Sequence, residues 1–254
     1  MYHTTGFHKE DIVELCAMIH TAEKSSKKAV AVPPILGLFT AMVVALTYLR
    51  RNHVQQELAE YHGVSQSTIS RAISVLTPAI ARVTHDWVPT AEDLSTTGCY
   101  IVDGTLLPCW SWSDTPELYS GKHTRTGVNV QVACDLSGRL AWISDPIPGR
   151  RHDSAALELS GVLETLDPQN WIGDKGYIGK NMITPIRKPP HGDLTDKQKN
   201  FNTSVHQIRW KIEQVIAHLK TWRILHVDYR RPLSTFEKTI AAVIGLHFFR
   251  MAAE

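Results

Sequence analysis

Apolar positions recur at helical spacing from about Gly6 to Val88, with few strand signals, so the first third of the chain is predicted to be helical throughout. Within it, Ala29 to Tyr48 is twenty residues without a charge, long enough for a membrane span. Pro33-Pro34 would break such a span near one end, and the expectation is instead a buried helix over Ile35 to Leu49. That helix either completes the core of its own module or offers an apolar contact to a second copy. The polar run Pro89 to Gly98 reads as a linker.

Beyond it the period changes to strands. Tyr100 to Leu106, Val128 to Asp135 and Leu140 to Asp145 read as β, the last two joined antiparallel by the turn Leu136-Ser137-Gly138-Arg139. Ser154 to Leu166 reads as a helix with Asp153 as its N-cap, and Trp171-Ile172-Gly173 and Met182 to Ile186 as short strands. After the polar loop His191 to Lys199, helices follow over Phe201 to Trp222 and Ser234 to Arg250. The predicted class is α+β, with an all-α module over 1–88, a linker over 89–98 and an α+β core over 99–254.

One helical segment has a more specific pattern. Val54 to Leu76 places a short helix through Tyr61, a turn at His62-Gly63-Val64, and a second helix capped by Ser65. Gly63 supplies the left-handed turn residue, and Leu58, Ala59, Val64, Ile69 and Ile73 the small shared core. The outer face of the second helix presents Gln66, Ser67, Thr68, Ser70 and Arg71, side chains suited to base edges and phosphates. A helix-turn-helix is expected, against the alternative of an ordinary corner between two helices.

Composition narrows the classes. With 43% hydrophobic and 20% charged residues, disordered, collagen-like and coiled-coil chains are excluded. The four cysteines include no CxxC pair and no zinc-type spacing, which suits a reducing cytosol, and the charged Met1 to Lys28 segment has no secretory h-region. The net charge of +2 conceals an asymmetry: Met1 to Asp174 carries 13 Lys/Arg against 19 Asp/Glu, and Lys175 to Arg231 carries 12 against 4. A basic block following an acidic body points to a polyanionic partner.

Three carboxylates stand out. Asp103, inside the apolar strand Ile101-Val102-Asp103-Gly104-Thr105, is expensive to bury unless a cation compensates it. Asp174 follows a short buried strand, where a loop can display it. Glu213 lies beside the helical stripe Val205, Ile208, Ile212, Val215, Ile216 and Leu219, with His206, Arg209 and Lys220 on the same side as candidate phosphate grips. For Glu213 alone a pair with Arg209 one turn away is the simpler explanation, but three carboxylates from two strands and a helix suit a hard divalent cation. Asp153, in Pro148-Gly149-Arg150-Arg151-His152-Asp153-Ser154, competes for a place among these carboxylates, but at a helix start the preferred reading is an N-cap.

These segments together resemble the DDE transposases of bacterial insertion sequences, in the Harbinger-like branch. The resemblance runs from Arg50 to the C-terminus and rests on RNHVQQELAEYHGVSQSTISRAI at 50–73, IVDGT at 101–105, YSGKHTRTGVNVQVACDLSGRL at 119–140, PGRRHD at 148–153, IGDKGYIG at 172–179, ITPIRKP at 183–189 and RWKIEQVIAHLKTWRIL at 209–225. It implies an RNase H-like mixed-sheet core over 99–254 in which Asp103, Asp174 and Glu213 are catalytic and bind two Mg²⁺ (or Mn²⁺) ions for in-line phosphodiester transfer. It also implies double-stranded DNA as partner, both terminal inverted repeats and target. Lys175, Arg209, Lys220 and Arg223 are candidates to hold its backbone. A homo-oligomer on DNA, a cytoplasmic, nucleoid-associated location and no membrane association are expected. An inactive DNA-binding regulator and a stand-alone nuclease remain alternatives.

Overall fold

The computed structural model describes residues 1–26, 30–110 and 114–253; Ala29, where the uncharged stretch opens, lies outside them. They form two compact units, one of Met1–Val88 with Leu219–Glu254 and one of Pro89–His218.

The first unit is helical. Helix α1 (Lys9–Ser26) buries Ile12, Leu15 and Ile19, one face at i, i+3 and i+7. Helix α2 (Gly37–Arg51) buries Ala41, Met42, Val44, Ala45, Leu46, Tyr48 and Leu49 inside its own unit, so its apolar face is already covered. Among the described residues no helix is long and apolar enough to cross a membrane. Helix α3 (Gln55–His62) ends at Gly63, whose φ of 64° lets its N–H turn back to the carbonyls of Ala59 and Glu60. Ser65 then caps helix α4 (Gln66–Val83), its hydroxyl accepting from the Thr68 N–H at 3.3 Å. The expected pair of helices with a three-residue turn is present, and Leu58, Ala59, Ile69 and Ile73 form its buried contact.

The C-terminal helix Phe236–Ala253 packs against α4 in this unit, whereas the sequence pattern had placed it in the core that follows the linker. Its composition explains the difference. It buries Phe236, Ile240, Val243, Ile244, Leu246, Phe248 and Phe249 around much of its circumference, and an apolar helix of that kind needs other helices to cover it. The approach is close: a Cβ added at Gly245 would lie 2.0 Å from Thr84 Oγ1 at the end of α4.

The second unit is built on a mixed arrangement of strands and helices. Strand β1 (Tyr100–Pro108) pairs antiparallel with β2 (Arg125–Asp135) along its whole length, with Asp103 opposite Val132 and Gly104 opposite Gln131. Strand β3 (Leu140–Ile143) pairs antiparallel with the other edge of β2, across a bulge at Ala133/Cys134. On the far side of β1 the expected strands at 171–173 and 182–186 shrink to single parallel bridges, Ile101 with Ile172 and Ile172 with Ile183. One core packs Tyr100, Val102, Ala133 and Trp142 from the sheet against Leu157, Val162, Trp171 and Tyr177.

Helix α5 (Asp153–Leu159) is shorter than predicted, because Gly161 takes φ 75° and separates it from the turn Val162–Thr165. Helix α6 (Asp196–Leu219) starts earlier than predicted: Thr195 and Gln198 form a reciprocal capping box, with Thr195 N–H to Gln198 Oε1 at 2.9 Å and Gln198 N–H to Thr195 Oγ1 at 3.3 Å. Its buried face is Val205, Arg209, Ile212, Val215 and Leu219, while Ile208 is exposed, so an arginine takes a place the apolar stripe had given to isoleucine. The predicted linker is also packed: Thr90 and Asp93 cap the turn Ala91–Asp93, and Leu94 enters the core.

Ala is ordinarily about 1 kcal/mol better than Gly inside a helix. At Gly245 the Thr84 contact reverses that sign, and Gly245→Ala is expected to destabilise the protein by roughly 1–3 kcal/mol, the usual range for overpacking. Thermal unfolding checks this; an increase in Tm would mean the helix is free to shift.

Candidate active site

The polar centre of the second unit begins with a departure from strand chemistry. Asp103 and Gly104 are the two half-buried positions in an otherwise buried β1. The Asp103 side chain is 17% exposed and its Oδ2 accepts from Arg209 Nη2 at 2.9 Å, while Oδ1 accepts from the Gly104 N–H at 2.9 Å. Arg209 comes from the buried face of α6 and is itself only 9% exposed; its Nε is buried without a protein partner. Burial pushes the Asp103 carboxyl up to about 6; the Arg209 guanidinium opposes the rise, and the charges of Asp174 and Asp153 add to it.

Asp153 does not cap its helix. The N-cap of α5 is His152, with no side-chain cap bond, and Asp153 is its first residue, buried and turned towards the sheet. Its Oδ2 accepts from Lys122 Nζ at 2.6 Å and its Oδ1 from Asn129 Nδ2 at 3.1 Å. Gly104 makes this possible: a Cβ there would stand 2.4 Å from Asp153 Oδ1 and 2.8 Å from Gln131 Nε2. Asn129 and Gln131 share one face of β2, with Gln131 Nε2 donating to Asn129 Oδ1 at 3.2 Å and the Tyr177 hydroxyl donating to Gln131 Oε1 at 2.7 Å. The polar chain therefore runs from Tyr177 through two amides to Asp153.

Asp174 lies just past the Ile172 bridge, half-buried, its Oδ1 accepting from the Gly176 N–H at 2.7 Å. Two other groups sense all three aspartates. Burial works against the Lys122 ammonium, yet the hydrogen bond and charge of Asp153, with Asp174 and Asp103 beyond it, leave its pKa above the ordinary lysine value. Burial raises the Tyr177 hydroxyl well above its ordinary value, and Asp153, Asp103 and Asp174 raise it further.

The remaining expected residues fall elsewhere. Glu213 is on the exposed side of α6, and the anticipated pairing with Arg209 does not occur because Arg209 reaches Asp103 instead. Arg209 is accordingly a buried counter-ion rather than a surface grip for DNA. His206 and Lys175 are exposed, and the Lys175 carbonyl accepts from Arg187 Nη2 at 3.1 Å. Lys220 and Arg223 belong to the helical unit, half-buried and exposed respectively. On α4, Gln66, Ser67 and Arg71 are exposed and Thr68 and Ser70 half-buried; Gln66 Nε2 donates to Gln55 Oε1 at 3.1 Å, and the Ser67 and Thr68 hydroxyls meet Ser65 Oγ at 2.9 Å.

From sequence, Asp153 competes as a further site carboxylate and is set aside in favour of a helix cap, while its neighbours Lys122, Asn129, Gln131 and Tyr177 are not singled out. The available signal was Asn129 and Gln131 at alternate positions of a strand that is otherwise apolar, marking one face as polar. Among the described residues no three His, Cys, Asp or Glu side chains stand within ligating reach of one point. The donor chemistry nevertheless fits a hard divalent cation: all oxygen, half-buried to buried, with one carboxyl already pushed upwards by burial. The positive charge it would supply is provided here by Arg209 and Lys122.

Because the Asp103 pKa is raised on folding, the native state binds more protons than the unfolded chain between about pH 4 and pH 6, and this group's contribution to stability grows as pH falls through that window. In metal-free protein the stability difference between wild type and Asp103→Asn should move towards wild type by up to about 3 kcal/mol from pH 7 to pH 4. Denaturant unfolding of both proteins at the two pH values measures it, and an unchanged difference would place the carboxyl in a water-like setting.

Residues 102–247 match the family model described as DDE superfamily endonuclease, a span that contains Asp103, most of β1 and all of α6. The chain is similar to the transposase assigned to insertion sequence element IS112 of Streptomyces albus G, 33% identical over 187 residues, 73% of this chain and 69% of that one. It is also similar to the transposase assigned to element IS702 of Microchaete diplosiphon, 22% identical over 258 positions, 98% of this chain and 93% of that one. HARBI1 of Xenopus laevis, assigned as a nuclease, is 24% identical over 191 residues, 66% of this chain and 54% of that one. No solved structure matches. With Asp103 inside the matched span, and that span covering more than half of its length, the chain belongs to the DDE superfamily endonucleases.

Proposed function

We propose that this endonuclease is a transposase that cuts and joins phosphodiester bonds at the ends of an insertion sequence. The observation that carries the site assignment is the packing of Asp153 against the missing side chain of Gly104, beside Asp103 on β1. Arg209 sits on one carboxylate and Lys122 on the other, and the charge of Asp174 acts on Asp103. The arrangement of β1 to β3, continued on one side by parallel bridges, supports an RNase H-like core.

In this assignment Asp103, Asp153 and Asp174, half-buried to buried, are the site carboxylates, and Glu213, on the exposed side of α6 one turn beyond Arg209, is the fourth. These carboxylates would hold the divalent ions, two Mg²⁺ or Mn²⁺, which would supply charge neutralisation and polarisation at the scissile phosphate. In the resting site Arg209 pairs with Asp103 and Lys122 with Asp153. Asn129, positioned by Gln131 and Tyr177, fixes the Asp153 carboxylate. Attack by water and then by a 3′-hydroxyl needs no covalent protein intermediate. The helices α3 and α4 act as a helix-turn-helix whose outer face, Gln66, Ser67, Thr68, Ser70 and Arg71, meets the element ends. Two ends of one element must be held together, so at least two copies act on paired DNA.

A second reading, a nuclease that cuts without joining, is favoured by the similarity to HARBI1. A pre-cleaved end carrying a free 3′-hydroxyl separates the two: joining to target DNA supports a transposase, and cleavage without joining supports the nuclease.

Asp103→Asn, Asp153→Asn, Asp174→Asn and Glu213→Gln are each expected to lower strand cleavage by at least about a hundredfold while circular dichroism and duplex binding stay near wild type. A variant that keeps its activity removes that residue from the site. At the helix pair, Arg71→Ala and Gln66→Ala should weaken binding to the element ends, with relaxed sequence preference only for a residue that reads bases. End binding at wild-type strength by the double variant would reduce the pair to scaffold.

A further inference from the structure

We propose that the helical unit carries a second DNA anchor, a groove in which Arg230 and Arg231 hold the phosphate backbone beside the duplex that α4 reads. The inference rests on the helix-turn-helix reading and adds to it a binding surface from the far end of the chain. The groove has a volume of about 400 Å³ and lies wholly within the helical unit. Asn52, His53, Gln55 and Gln66 line it together with the two arginines, and no carboxylate does.

Several features make phosphate its fitting occupant. Two guanidiniums in one groove without a lining acid form a positive site, and a guanidinium fork matches phosphate oxygens in pairs. Arg231 is half-buried and its Nη2 donates to Ser74 Oγ on α4 at 2.7 Å, which fixes the side chain to the helix that would lie on DNA. Arg230 is exposed and able to reach outwards. Both line the groove together with the buried Tyr48, so they share one locality rather than pointing apart. Besides Tyr48 and Val54, the remaining lining side chains are amides and the His53 imidazole, which faces Glu57 at 3.3 Å; the amides can donate to phosphate oxygens without adding charge.

The groove's place on the helix pair selects the backbone over base edges. It opens at Gln55, where α3 begins, and at Gln66, where α4 begins, and Gln66 is bonded to Gln55 across the turn. In helix-turn-helix docking the start of the second helix enters the major groove while the first crosses the phosphates that border it. A cationic groove shared by these two helix starts therefore faces a bordering phosphate strand. The two arginines arrive there because Leu219–Glu254 is part of this unit.

Fluorescence anisotropy with the full-length protein, on one duplex of element-end sequence and one scrambled duplex over a salt series, tests the anchor. Arg230→Gln with Arg231→Gln should weaken binding to both duplexes by about the same factor, on the order of tenfold, and flatten the slope of log K against log salt by about 2. Arg230→Lys should retain most of the slope. If Arg231→Gln lowers thermal stability, Arg230→Gln alone carries the test, with a flattening of about 1. Wild-type affinity and slope in the double variant, alongside weakened end binding by Gln66→Ala and Arg71→Ala, would overturn the anchor and leave the helix-turn-helix intact. A loss confined to the end sequence would also overturn it, by making the arginines base readers. A wild-type protein that binds neither duplex would remove the helix-turn-helix reading and the anchor with it.

Discussion

A carboxylate in the middle of a buried strand is the constraint on which the sheet unit is organised. Removing Asp103 from water costs several kcal/mol, and Arg209 offsets this from the buried face of α6. The compensation is incomplete: the carboxyl stays raised to about 6, and Arg209 Nε is buried without a protein partner. An ion pair that served stability alone would be better replaced by packed aliphatic groups, which are often neutral or stabilising in its place. Its retention at a site with two more aspartates is consistent with a pair whose acid is wanted for chemistry and whose base holds it in place.

Gly104 is the other half of that constraint. By leaving no Cβ on one face of β1, it admits the Asp153 carboxylate to within the space a side chain would fill, while Asp103 projects from the neighbouring position of the same strand. Helix α5 then begins at Asp153 and spends its first side chain on the sheet rather than on its own N-terminus. The amide pair Asn129 and Gln131 and the Tyr177 hydroxyl satisfy the polar atoms this arrangement buries. The placement of both carboxylates and the packing of α5 on the sheet thus depend on the same dipeptide, Asp103-Gly104.

The sequence was most legible where a single local rule decides the outcome. The turn at Gly63, the Ser65 cap, the antiparallel β2–β3 pair and the apolar α2 follow from a left-handed glycine, an N-cap hydroxyl, a strand period and an uncharged run. It was least legible where two rules compete. Asp153 satisfies the cap pattern as well as any residue in the chain, and only the space left by Gly104, some fifty residues earlier, turns it inwards. Arg209 was placed beside the apolar stripe of α6 rather than in it, because periodicity counts side chains by polarity and Asp103 was needed to make a buried arginine favourable. The early start of α6 was readable from the capping box at Thr195 and Gln198 and was obscured by the polar character of its first turn.

The last part of the chain shows how a topological fact can become a chemical one. Helix α6 carries the counter-ion of the carboxylate site and ends at Leu219, where the helical unit resumes. The C-terminal helix that follows is too apolar to remain uncovered and finds its cover on α4, with Gly245 allowing contact at Thr84. Packing of that kind is driven by buried area and is indifferent to charge. Its consequence, however, is that the connecting segment, with Arg230 and Arg231, is held next to the starts of α3 and α4. The basic character of Lys175 to Arg231 is therefore divided: Arg209 is used inside the carboxylate site, and the final pair of arginines is displayed on the unit that carries the helix pair. Net charge along a sequence, taken alone, could not separate these two uses, because one neutralises an acid within the fold and the other leaves a positive groove open to solvent.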